Sequence, residues 1–214
     1  MPGAGSTSSA PSVRQTQLLE LAYRYGLEHG LADLSLRPLA KAIGSSPRVL
    51  LYLFHSKDGL VRALLARARV DELSLLARLR AGEEPGGGLD VVAERVWSWL
   101  AAEEHRALLT LWVEGYARSL VDPDGAWAGF ARATVTDWLT VLADAQPVSE
   151  RDTVSGLARR SLVLAVLRGA LLDLLATGDV RRTTAAVHQQ FAALRSECGH
   201  GPGEAVEAGR HAPG

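Results

Sequence analysis

Apolar residues recur at intervals of three and four along almost the whole chain, and the alternating Val/Ile/Thr-rich runs that make strands are absent. This pattern confines the chain to an all-α fold. In the first such stretch, 13–29, Leu18, Leu21, Ala22 and Tyr25 share a helical face and Gly30 follows as a stop. A short helix is expected after Ser35, with Leu36, Leu39, Ala40 and Ile43 apolar, Pro38 tolerated in its first turn, and Gly44 at its end. Ser45 or Ser46 caps a third, which has Pro47 at its first position and Val49, Leu50, Leu53 and Phe54 as its apolar face. The fourth starts at Ser56, runs to about residue 80, and is long enough to connect two lobes. AGEEPGGG at 81–88 breaks it. Further helices are expected near 89–102, 104–121, 126–145, 150–177 and 180–196, lengths that suit a bundle.

Composition limits the classes. With 214 residues, 47% hydrophobic and 22% charged, the chain is of ordinary globular make-up, enough for one domain or two small ones. Its single cysteine, Cys198, cannot form an internal disulfide or a Cys-rich metal site. The start, MPGAGSTSSAPS, has neither the basic residues nor the apolar core of a secretory signal, and the most apolar run, 162–176, is interrupted by Arg168 and Asp173. A cytoplasmic protein without membrane contact is expected, with 1–12 and 198–214 as disordered tails. The net charge of −1 conceals a gradient. Residues 1–70 carry nine basic and four acidic side chains, a net of +5, against −6 over 71–214.

Two short helices joined by a tight Gly turn have the dimensions of a helix-turn-helix, although many helical proteins contain a purely structural corner of this kind. Ala40 permits close helix approach, Gly44 supplies a positive φ, and Leu50 is an apolar wedge. Residues 14–65 carry a more specific order of motifs: an amphipathic helix ending in Glu28-His29-Gly30, then Leu39-Ala40 and Gly44. A Ser-led helix and Phe54-x-Ser56-Lys57-Asp58-x-Leu60 follow. In this order and spacing the segment resembles the DNA-binding domain of the tetracycline-repressor (TetR/AcrR) family. The family usually has a small polar residue at the place of Val49 and Tyr at that of Leu51, whereas here Leu51 precedes Tyr52.

The resemblance implies a DNA-binding domain over 13–58, with its helix-turn-helix at about 35–54, and a helical effector-binding and dimerisation domain over 59–197. On that reading the protein is a homodimeric, ligand-responsive repressor of a palindromic operator. Arg48, near the start of the second short helix, is placed to bond guanine O6 and N7 in the major groove. Ser45, Ser46 and Pro47 lead that helix, and Arg37, Lys41, Tyr52, His55 and Lys57 are candidate backbone clamps.

All five tryptophans lie outside this region. Trp97, Leu100, Trp112, Tyr116, Phe130 and Trp138 are expected either to line a pocket for a small, partly apolar effector or simply to fill the core. Leu164, Leu167, Leu171, Leu174 and Leu175 lie on a helix that is apolar around most of its circumference. Such a helix serves either a four-helix dimer interface or a monomer's core. The ligand is expected to move the long fourth helix and so change the separation of two reading heads. Paired carboxylates, nucleophile motifs, phosphate loops and His-x-x-x-His spacing are all missing, so no catalytic residue, metal or cofactor is expected. A helical protein-interaction module is the rival, and salt-sensitive binding to duplex DNA separates the two.

Overall fold

A computed structural model describes residues 12–31, 33–81 and 88–199. Most of both expected tails and of the 81–88 break lies outside them. Among the described residues every regular element is helical: α1 Val13–His29, α2 Leu36–Ala42, α3 Pro47–Phe54, α4 Lys57–Ala81, α5 Leu89–Leu100, α6 Arg106–Val121, α7 Phe130–Asp144, α8 Val148–Arg151, α9 Val154–Thr177 and α10 Val180–Gly199. A 3₁₀ turn, Glu103–His105, precedes α6.

Helix ends fall where local chemistry puts them. Ser12 accepts the Gln15 N–H at 3.1 Å, Ser46 that of Val49 at 3.3 Å, and Thr153 that of Gly156 at 2.9 Å, so each hydroxyl satisfies a donor that its helix leaves open. Thr153 is also why the segment 150–177 is two helices instead of one. After α2 the Ser45 N–H reaches the Ala40 carbonyl at 2.8 Å and the Gly44 N–H reaches Lys41 at 3.4 Å, a Schellman closure with Gly44 at φ +64°. A Cβ at Gly44 would meet nothing within 4 Å, so a side chain there is opposed by backbone conformation alone. Gly44→Ala should therefore lower stability by about 1 kcal/mol in urea unfolding, with Gly44→Asn less harmful.

The chain divides into two compact units, Met1–Gly82 with Ala102–Val141, and Glu83–Ala101 with Leu142–Gly214. In the first, α1 packs on α2, α4 and α6, and α3 on α2 and α4. The buried face of α1 is Leu18, Ala22, Tyr23 and Gly26, so Tyr23 goes inside while Tyr25 is half-buried and stacks on His29. Tyr23 can be buried because its hydroxyl donates to Asp71 at 2.8 Å. Burial and that carboxylate push its phenol above the ordinary tyrosine range. Arg67 bonds both Glu20 and Asp71 and lies over the Tyr23 ring, clasping α1 to α4. Within α4 the side chains of Leu60, Leu64, Ala68, Glu72 and Leu75 are all buried.

The second unit is built from α5, α9 and α10 in mutual contact, with α8 on α9. Trp97 lies in its core, its indole N–H donating to Thr184 Oγ1 at 3.0 Å, beside buried Val187 and Phe191.

Candidate nucleic-acid interface

The outward face of the α2–turn–α3 corner follows by elimination. Leu39, Ala40, Leu50 and Phe54 are buried and hold the corner on α1 and α4. At about 100° per residue this leaves Arg48 and Tyr52 at the middle of the outward face of α3, with Leu51 and His55 on one flank and Val49 on the other. All five are exposed, Tyr52 at 81%. Around them Arg37, Lys41 and Lys57 are exposed too. None of these cations, nor Arg48, forms an ion pair among the described residues. Pro47 opens α3 and Ser46 caps it: proline brings no N–H to the first turn, and that of Val49 is taken by the Ser46 hydroxyl. The Ser45 hydroxyl is buried and has no partner among the described residues.

The far end of α3 is held tightly. His55 sits at φ +66°, ψ −34°, and the Ser56 N–H bonds back to the Phe54 carbonyl at 2.8 Å, a γ-turn that carries strain in a residue with a side chain. That carbonyl would lie 2.0 Å from a Cβ at position 59, so only Gly59 lets α4 begin so close. The Gly59 N–H is taken by Ser56 Oγ at 2.9 Å. Gln15 Nε2 donates to the Leu53 carbonyl at 3.1 Å and pins α1 to the same end. At the opposite side of α1 the Leu31 N–H donates to Glu114 of α6 at 2.9 Å.

The residues expected around a pocket are not gathered in one unit. Trp97 and Leu100 are buried in the second unit, while Trp112, Tyr116, Phe130 and Trp138 belong to the first. Trp138 donates its indole N–H to Glu72 at 2.9 Å. Glu72 is fully buried, which pushes its carboxyl above the usual range, and it also receives Arg69 at 3.2 Å. A cleft of about 310 Å³ does exist in the first unit, with Phe130 in its wall beside Arg62, Leu65, Ala66 and Arg69 of α4. The spacing 62, 65, 66, 69 is one helical face. That stripe was the available sequence signal for the cleft.

The residues expected at a dimer interface or in a monomer's core lie on the inner face of α9. Leu164, Leu167, Leu171 and Leu174 are buried within their own unit and Leu175 is half-buried, because this face of α9 packs on α5 and α10. The exposed face of α9 is Val154, Ala158, Leu162, Ala165, Gly169, Leu172 and Ala176.

No protein-family model matches the chain, and no curated protein matches it in sequence. Solved structures do match. A transcriptional regulator from Rhodococcus sp. has a TM-score of 0.68 at 20% identity, over 86% of this chain and 96% of its own. A TetR transcription regulator from Haloarcula marismortui has a TM-score of 0.67 at 16% identity, over 86% and 97%. The chain has the TetR-regulator fold. The multidrug binding protein EbrR, solved with proflavin, shares this TetR-type architecture at a TM-score of 0.57 and 23% identity, over 82% and 98%. These neighbours are regulators and binding proteins rather than enzymes. Among the described residues no helix is long and apolar enough to cross a membrane.

Proposed function

We propose that this protein is a sequence-specific DNA-binding transcriptional repressor that acts as a homodimer on a palindromic operator and responds to a small-molecule effector. The observation that carries the reading is the outward face of α3, where Arg48 and Tyr52 stand exposed within a ring of cations that have no ion-pair partner among the described residues. Arg48 reads guanine by two hydrogen bonds, and Arg37, Lys41 and Lys57 neutralise phosphates. Exposed Val49 and the Tyr52 ring supply apolar contact suited to thymine methyl groups. The surplus of +5 over residues 1–70 is modest, so affinity comes from a few placed contacts doubled by dimerisation.

Selection of bound sequences from random duplex DNA tests the reading, and a palindrome is the expected result. On the selected site Arg48→Ala should cost about 1–3 kcal/mol and relax base preference at one position per half-site. Lys57→Ala should weaken every sequence alike and reduce the salt slope by about one. Failure to select any duplex, or salt-insensitive binding, overturns the reading.

A further inference from the structure

The cleft of the first unit sets arginine side chains beside an apolar surface. Its walls are Arg62, Leu65, Ala66 and Arg69 from α4, Gly125, Ala126, Ala128 and Gly129 ahead of α7, and Phe130 and Ala133 of α7. Leu65, Ala126 and Phe130 are buried residues that offer it an apolar floor. Of its two arginines, Arg69 is already committed: its guanidinium bonds Glu72 at 3.2 Å and also Asp137, so two carboxylates satisfy it. Arg62 is exposed and forms no ion pair among the described residues. The cleft thus combines one uncommitted guanidinium with an apolar surface.

We propose that this cleft binds a small amphipathic monoanion, an aryl or alkyl carboxylate whose charged end pairs with Arg62 and whose body rests on Leu65, Ala126, Phe130 and Ala133. A planar guanidinium matches a carboxylate with two parallel hydrogen bonds, and pairing offsets the loss of water from the charge. At about 310 Å³ the cleft is at the small end of ligand sites, which suits one or two fused rings. An organic cation meets Arg62 with like charge, so proflavin, the molecule seen with EbrR, is excluded here. The ligand would reach the reading head through α4, whose first turn is locked to α3 at Gly59. Its role as the effector rests on the repressor reading; the charge preference of the cleft does not.

Calorimetric titration of the full-length protein with 2-naphthoate, its neutral amide and proflavin tests the assignment. The carboxylate should bind at least about tenfold more tightly than the amide, and proflavin should not compete with it. Arg62→Ala should erase the difference between carboxylate and amide, and Arg62→Glu should abolish naphthoate binding. Arg62 is exposed, and unchanged circular dichroism will show that both variants keep the fold. Absence of naphthoate binding at millimolar concentration, equal affinity for the three probes, or a carboxylate preference that survives Arg62→Ala overturns the proposal. A protein that binds naphthoate selectively but selects no duplex refutes the repressor reading alone. One that selects duplex and ignores naphthoate refutes the cleft assignment alone.

Discussion

Gly169→Arg should convert the protein to a folded monomer and reduce operator affinity by about 10²- to 10⁴-fold, the range over which linking two binding heads raises avidity. Among the described residues nothing explains a glycine at this position of α9: a Cβ there would meet none of their atoms within 4 Å. In the middle of a helix glycine is less favourable than alanine by about 1 kcal/mol, so an open site has no internal reason to keep it. Close approach of a second helix supplies one. Gly169 lies on the exposed face with Ala158, Ala165, Leu172 and Ala176, and α10 exposes Ala185, Ala186 and Ala193. In the proposed homodimer, two such faces related by a two-fold axis would form a small-residue seam. The substituted side chain would put a long cation into that seam while improving helix propensity. Sedimentation at micromolar protein should show a monomer, and circular dichroism no loss of helix. A dimer that persists, or a monomer that keeps full operator affinity, would contradict this arrangement.

What was legible in the sequence follows how local each cause is. The caps at Ser12, Ser46 and Gly44 act within a single turn, so α1, α2 and α3 lie within a residue of their expected bounds. The outward face of α3 was legible only in part: burial of Leu50 and Phe54 determines where Arg48 and Tyr52 point, but Val49, expected on the apolar face, is exposed. On α9, by contrast, apolar side chains occupy most of the circumference. Only packing against α5 and α10 decides that Leu164 and Leu167 go inside while Leu162 and Leu172 stay out. Of the cleft only the α4 stripe was legible, because its other wall comes from residues more than fifty positions away. Glu72 was hidden by a sound rule, that a glutamate within a helix marks the wet side. The exception depends on two donors, Trp138 from α7 and Arg69 one turn away.

Arg69→Leu should destabilise the protein by about 3 kcal/mol near neutral pH, because it leaves a buried carboxylate without its cation. The side chain of Arg69 is only 22% exposed and that of Glu72 1%, so water screens the pair little. Burial raises the Glu72 carboxyl above the ordinary carboxylate range, against the lowering effects of Arg69 and the Trp138 N–H. The native state therefore binds this proton more tightly than the unfolded chain. Its contribution is fully present below the unfolded pKa of about 4.3 and is lost as pH rises through the folded value. Without Arg69 the carboxyl rises further, so the loss begins at the same unfolded pKa but continues to higher pH and ends larger. The destabilisation by Arg69→Leu should accordingly be smaller at pH 5 than at pH 7.5 in urea unfolding. Glu72→Gln in the Arg69→Leu background should remove that difference, since a neutral amide oxygen still accepts the Trp138 N–H and does not titrate. A penalty that is the same at both pH values, or unchanged by Glu72→Gln, would show that Arg69 acts through Asp137 and packing instead of through the buried charge.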